Sequence, residues 1–98
     1  MRITKLGATV VNAGRRNWVL VRVETDQPGL IGWGEASLEV KTRSVLGAIE
    51  DFAPLVAGED PRRIEHLWQI LYRQQFFRGG VVETSALSGI DQALWDIK

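Results

Sequence analysis

Apolar and polar residues alternate in the first third of the chain, a pattern that predicts β-strands. In the middle of this region Val19, Val21 and Val23 share one face of a strand. The segment 30–37 predicts the next strand, whereas 2–11 is β-branched but alternates poorly, so its register stays open. Connections this short favour an antiparallel meander, because parallel strands need long crossovers.

After Ser37 the apolar spacing changes to the three and four residues of an α-helix. The first helix is expected from about Thr42, disturbed near Pro54 and stopped by Gly58. The third is expected from about Val81 to the last residue of the chain. Neither glycine nor proline closes this helix, so it ends at a free terminus or a following segment is missing.

The second helix has the clearest start signals, with Asp60 as the expected N-cap and Pro61 at the first helical position. Its predicted apolar face consists of Ile64, Leu67, Trp68 and Leu71. We therefore expect Trp68 in the core and a cost of roughly 3–5 kcal/mol for Trp68→Ala. Three strands followed by three helices predict an α+β fold, with helices packed on one face of a small sheet.

Composition narrows the classes of function. Ninety-eight residues make one domain, and 12 basic side chains balance 12 acidic ones, so neither nucleic acid nor an anionic membrane is an expected partner. The sequence has no cysteine, which excludes disulfides and thiolate chemistry. It has no apolar run long enough to span a bilayer and no signal-peptide pattern at the N-terminus. We expect a soluble cytoplasmic protein.

The spacing of candidate functional residues along the sequence does not indicate a set of catalytic residues. His66 is predicted opposite the apolar stripe of its helix, in solvent, and the acidic residues are scattered without metal-binding spacing. Gly32 and Gly34 form a G-x-G inside a strand, where a dinucleotide site would need G-x-G-x-x-G at the start of a helix. We interpret these two glycines as positions without side chains, where another backbone or a ligand could approach the sheet closely.

Three polar segments carry candidate binding residues: Arg15 and Arg16 in the loop between the first two strands, Glu39 before the first helix, and Arg78 before two glycines. Arginine suits recognition of carboxylate or phosphate through paired hydrogen bonds. Taken singly, each segment is better explained as a solvated loop.

Four motifs occur in a characteristic order along the chain: GWGE after a turn, G-x-D-P before the second helix, F-x-RGG, and SGIDQALWDIK at the end. In this order the sequence resembles the N-terminal capping domain of the enolase superfamily. It is most similar to the mandelate racemase-like branch and its acid-sugar dehydratases of the galactonate dehydratase type. The resemblance covers about Ile3 to Lys98, so residues 1–98 are expected to be one capping domain.

The resemblance implies that the last helix leads into a TIM-like barrel that this chain lacks. In the family that barrel holds magnesium and the bases that remove the proton α to a carboxylate. The implied reaction is β-elimination of water from an aldonic acid such as galactonate, through an enediolate. The isolated chain is expected to be inactive, and the implied partners are the acid-sugar substrate, the barrel and further copies of the enzyme.

By motif position, two loops of the cap, 13–17 and 37–42, would fold over the barrel mouth and contact the substrate. The implied substrate contacts are Glu39, Arg15, Arg16, Asn17 and Arg78. Glu39 falls where relatives place a residue that reaches the substrate. Arg78 has two interpretations, a substrate contact or a contact with the barrel or a neighbouring subunit.

Other functions remain open at this stage. The same cap occurs on racemases and cycloisomerases of the superfamily, and a separately encoded barrel would make the chain half of a split enzyme. From another class, it could be a non-catalytic module that self-associates through an apolar surface formed by Leu94, Trp95 and Ile97.

Overall fold

The computed structural model describes residues 1–13, 16–38, 41–73 and 81–98, without the side chains of residues 13 and 16. Within these ranges the order is three strands and then three helices, which confirms the predicted α+β fold. The elements are β1 (Ile3–Ala13), β2 (Arg16–Thr25), β3 (Ile31–Glu35), α1 (Thr42–Val56), α2 (Ile64–Arg73) and α3 (Val81–Ile97).

The sheet is the predicted antiparallel meander, in the order β1-β2-β3. Val19, Val21 and Val23 are fully buried in the core that the helices share with the sheet. The register of β1, which the sequence left open, sets Leu6 opposite Val23 and is irregular near Ile3. The inner face of β2 therefore forms the centre of the core.

Helix α1 begins at Thr42 as predicted and continues through Pro54 to Val56. Its buried residues are Val45, Ile49, Phe52 and Val56. Gly58 follows with a φ of 85°, a backbone conformation in which glycine has no Cβ penalty. The turn here also pairs with the start of β1, because Gly58 N donates to Ile3 O and Ile3 N donates to Glu59 O, both at 2.8 Å.

Helix α2 starts later than its sequence signals predict. Asp60 caps a separate turn, in which Arg62 N donates to Asp60 Oδ1 at 2.9 Å and Arg63 N donates to Asp60 O at 3.1 Å. The helix itself begins at Ile64. The prediction of Asp60 as N-cap with Pro61 at the first helical position was therefore wrong. An Asx-type turn uses the same residues as a cap, which explains the error.

This turn gives a prediction for stability at low pH. The Arg62 guanidinium bonds the Asp60 carboxylate at 2.8 Å and, together with the Arg62 backbone N–H, holds the pKa of that carboxyl well below its usual range. A carboxyl with a depressed folded-state pKa contributes stability above its unfolded value, about 3.9, and loses it as the pH falls towards the folded value. The stability difference between wild type and Asp60→Asn should therefore shrink as urea titrations move from pH 6 to pH 2.5. A constant difference across that range would contradict this assignment.

The apolar face of α2 is narrower than its spacing predicts. Ile64, Leu67 and Leu71 are buried as expected, but Trp68 is 36% exposed and stacks on Tyr72, with ring centroids 5.0 Å apart. The placement of Trp68 in the core was therefore wrong. Trp68 lies at the margin of the apolar stripe, where a large ring can cover the core edge and still meet solvent.

The backbone of helix α3 packs directly against the backbone of β3, a close approach that the two glycines of the strand predicted. A Cβ atom on Gly32 would collide with the Ala93 carbonyl oxygen, and one on Gly34 with the Gly89 carbonyl oxygen. Gly89 is also restricted, since a Cβ there would lie 2.7 Å from the Ala36 Cβ. These three glycines allow the helix to lie directly on the strand.

Candidate functional site

Described residues next to the three segments that carry the predicted site residues lie towards the same end of the fold. Glu35, the last residue of β3, pairs with Leu20 in the middle of β2, and Ala36 N donates to Val19 O. The chain therefore leaves β3 towards the end of the sheet at which β2 begins. Helix α3 runs opposite to β3, with Gly89 beside Gly34 and Ala93 beside Gly32. The N-terminus of α3, which follows the segment with Arg78, therefore points to that end as well.

The predicted site residues themselves are only partly described. Asn17 is exposed in β2 opposite Asn12, and Arg16 is the first residue of β2, with a side chain that is not described. Arg15, Glu39 and Arg78 lie outside the described residues. The roles of all five residues stay predictions.

A groove of about 460 Å³ lies at this end, between the end of β3 and the N-terminal half of α3. Its lining residues are Glu35, Ala36, Ser37, Thr84, Ser85, Ser88 and Gln92. The lining is rich in hydroxyl groups, with one carboxylate and one carboxamide. Such a surface offers many hydrogen-bond donors and acceptors. Ser37 is also the first residue of the predicted substrate loop 37–42.

Next to this groove, side chains of α3 form hydrogen bonds with backbone groups on the side of β3 that faces away from β2. The carboxamide of Gln92 accepts a hydrogen bond from Glu35 N at 3.1 Å and donates one to Glu35 O at 3.3 Å. One turn later, Asp96 Oδ2 accepts a hydrogen bond from Trp33 N at 2.9 Å. Sequence reasoning missed both roles. The signal was a polar pair at i, i+4 on the helix, facing a strand whose glycines allow close approach.

A second groove, of about 430 Å³, lies between α3 and α2. Its lining residues are Ile64, Glu65, His66, Trp68, Gln69, Asp91 and Trp95. His66 is exposed, as its position in the sequence predicted, and partial burial raises the pKa of the Asp91 carboxyl. The groove combines two aromatic rings with acidic and amide groups.

The surface predicted from Leu94, Trp95 and Ile97 is only partly formed. Leu94 is buried and Ile97 half-buried, whereas Trp95 is 55% exposed, with Lys98 Nζ 5.0 Å from its ring centroid. The expectation that Leu94 would be exposed was wrong, because Leu94 belongs to the core formed by the helices and the sheet.

The described part of the chain has neither a metal-binding cluster nor a membrane-spanning helix. Those residues include no group of three or more His, Cys, Asp or Glu side chains placed to hold a metal ion. Among the described helices, none combines the length and the hydropathy that crossing a bilayer requires.

The fold, with a three-stranded meander and a glycine-mediated helix contact, defines the N-terminal capping domain of an enolase-superfamily member. The chain belongs to the mandelate racemase / muconate lactonizing enzyme, N-terminal domain family, whose model matches residues 4–98.

Among curated proteins, the chain is 52% identical over its whole length to a D-galactonate dehydratase from Xanthomonas euvesicatoria pv. vesicatoria, of which it covers 25%. The chain thus spans about a quarter of the length of the curated relatives it matches.

Two solved structures have the same fold as this chain. An enolase from Pantoea ananatis with bound D-gluconate and Mg superposes with a TM-score of 0.93 at 41% identity, covering 98% of this chain and 23% of that protein. A member of the enolase superfamily from Salmonella Typhimurium has a TM-score of 0.89 at 33% identity, covering 98% of this chain and 26% of that one.

Proposed function

We propose that this chain is the specificity cap of a magnesium-dependent acid-sugar dehydratase whose catalytic barrel lies beyond these 98 residues. The observation that carries the proposal is the 52% identity to a D-galactonate dehydratase across the whole chain. The geometry supports it, because the start of β2, the end of β3 and the N-terminus of α3 lie towards one end of the fold, and these described elements adjoin the segments with Arg15, Glu39 and Arg78. Loops grouped at one end can close over a barrel mouth, exclude water and contact the distal part of a substrate.

The proposed reaction is β-elimination of water from an aldonic acid such as galactonate. A base removes the proton α to the carboxylate, an acid donates a proton to the 3-hydroxyl group so that it leaves as water, and the resulting enol tautomerises to a 2-keto-3-deoxy acid. The described residues of this chain do not fit a magnesium site, so we assign the metal and the base to the barrel. We further propose that the whole enzyme is cytoplasmic and homo-oligomeric.

Glu39→Ala in the full-length protein tests the proposed substrate loop. Loss of one charged hydrogen bond costs about 1.5–3 kcal/mol, and about 1.4 kcal/mol corresponds to a tenfold change in rate. We therefore expect kcat/KM for the preferred acid sugar to fall about 10- to 100-fold. The measurement is dehydration of a panel of aldonic acids, with the thermal midpoint of each variant recorded alongside.

Glu50→Ala is the matched control, because Glu50 is an exposed carboxylate on α1. It should leave kcat/KM within about twofold of wild type, as substitutions at exposed sites usually do. An unchanged kcat/KM for Glu39→Ala across the panel would refute the role of Glu39. Failure of the wild-type enzyme to dehydrate any acid sugar would refute the proposed function.

A second candidate function is self-association of the chain as a non-catalytic module. Trp95 supports it, because this aromatic side chain is 55% exposed beside the groove between α2 and α3. Sedimentation equilibrium of the 98-residue chain distinguishes the two candidates. A stable dimer of this chain would favour the module, and a monomer at all concentrations would exclude it.

A further inference from the structure

The outer sheet face, the side of the sheet away from the helices, carries apolar side chains that the fold leaves in solvent. The strand register places on it the side chains that alternate with the buried valines of β2. Its exposed apolar members are Trp18 (47%), Trp33 (46%), Val11 (38%) and Ile31 (38%). A cluster of this kind, with polar groups among it, is typical of a protein–protein contact.

The charges at the centre of the outer sheet face are paired within the chain. Arg22 Nε donates to Glu24 Oε2 at 3.0 Å, and Arg22 Cζ lies 5.9 Å from the ring centroid of Trp33. A guanidinium in this position is attracted to the aromatic ring as well as to the carboxylate. Another molecule can therefore cover the centre without burying an unpaired charge.

Two opposite charges lie at diagonally opposite corners of the same face. Lys5 of β1 is opposite Glu24, and Glu35 of β3 is opposite Leu20. Glu24 and Leu20 flank Arg22 on β2, two positions away on either side. In a regular sheet Lys5 and Glu35 are therefore equally far from Arg22, on the two outer strands. Both side chains are exposed, and within the described residues neither has an ion-pair partner.

We infer that the outer sheet face is the contact between two copies of the full-length protein, related by a two-fold axis that passes over Arg22. An axis that lies between the two sheets, perpendicular to the diagonal from Lys5 to Glu35, places Lys5 of each copy against Glu35 of the other. With strands about 4.8 Å apart and a rise of about 3.4 Å per residue, this axis crosses the strands of the two sheets at about 70°, nearer to the orthogonal than to the aligned class of sheet packing. The inference rests on the homo-oligomer proposed above and not on the proposed reaction.

A second copy fits this face better than the proposed barrel of the same polypeptide does. Helix α3, which the barrel is proposed to follow, packs on the opposite face of the sheet, against Gly32 and Gly34. The segments proposed to close over the barrel adjoin one end of the sheet. On the outer sheet face the two acidic side chains balance Lys5 and Arg22, so two identical faces meet without net repulsion.

Charge reversal in the full-length protein tests the two-fold pairing. The variants are Lys5→Glu, Glu35→Lys and the double variant Lys5→Glu/Glu35→Lys, and the measurement is sedimentation velocity over a range of protein concentrations. Because the symmetry makes each pair occur twice, either single reversal should raise the dissociation constant of the contact about 10- to 100-fold. The double variant should return to within about threefold of wild type, because it restores opposite charges at both pairs. A structural role of either residue within one chain would not give this recovery.

Trp33→Ala tests the apolar centre of the contact, and Trp95→Ala is its matched control. Both tryptophans are about half exposed, but Trp95 lies on α3, away from the outer sheet face. Trp33→Ala should raise the dissociation constant about 100-fold or more, as loss of a central aromatic residue does, whereas Trp95→Ala should stay within about twofold of wild type. The thermal midpoint of each variant shows whether it is folded, and the charge reversals test the same surface without removing an apolar side chain.

Two results would overturn the inference and leave the proposed homo-oligomer standing. One is an oligomer that persists unchanged in the single charge reversals, and the other is a double variant that dissociates as readily as they do. A wild-type protein that is monomeric at every concentration would overturn both the contact and the proposed homo-oligomer. The proposed dehydration is tested separately, by the panel of aldonic acids.

Discussion

Gly34→Ala is expected to destabilise the fold by about 3 kcal/mol or more, the upper end of the cost of adding atoms to a packed core. The new methyl group would collide with the Gly89 carbonyl oxygen and lie 2.9 Å from Ala93 N, both of them backbone atoms of α3. Backbone of a packed helix cannot turn aside as a side chain can, so the whole helix must move. That movement would also break the hydrogen bonds of Gln92 and Asp96 to β3. The measurement is the free energy of unfolding from urea titration.

Gly47→Ala is the matched control for this prediction. Gly47 lies in α1, and apart from its chain neighbours and the adjacent backbone of its own helix, a Cβ there would meet no atom within 4 Å. Because alanine is favoured over glycine inside a helix, this variant should be more stable by about 0.5–1 kcal/mol. The two Gly→Ala changes should therefore have opposite signs. A mild effect of Gly34→Ala would mean that α3 does not lie directly on β3 in solution.

Much of the fold could be predicted because its signals are local. The burial of Val19, Val21 and Val23 follows from alternation, and the start of α1 follows from the change of period after Ser37. The start of α2 could not be predicted in the same way. Asp60 offers the same carboxylate to a turn or to a helix, and only the packing of the chain around it decides between them.

The candidate site was less predictable, because it depends on contacts between distant segments. The glycines of β3 indicated a close approach, but not that α3 would be the partner or that Gln92 would bond Glu35, 57 residues away. The bond from Trp33 N to Asp96 Oδ2 likewise joins residues too far apart in the sequence to be predicted from local patterns. The roles implied by family resemblance, above all that of Glu39, depend on the proposed barrel, which lies outside these 98 residues.

At adjacent positions of α2, Leu67→Ala is expected to lower the free energy of unfolding more than Trp68→Ala, although tryptophan is the larger residue. Leu67 is fully buried, so its truncation leaves a cavity and should cost about 2–5 kcal/mol. Trp68 is 36% exposed, and its main partner within α2 is the ring of Tyr72. An aromatic pair contributes about 0.5–1.5 kcal/mol beyond the area it buries, so Trp68→Ala should cost less than the 3–5 kcal/mol of a core tryptophan, about 2 kcal/mol.

Chemical denaturation of both variants at equal protein concentration tests this order. A Trp68→Leu variant separates the two contributions of the ring, because it keeps apolar area over the core edge and loses the stacking on Tyr72. Its stability should lie between those of wild type and Trp68→Ala. If Trp68→Ala instead costs more than Leu67→Ala, the ring is buried in solution, and the apolar face of α2 is as wide as the spacing of its residues predicts.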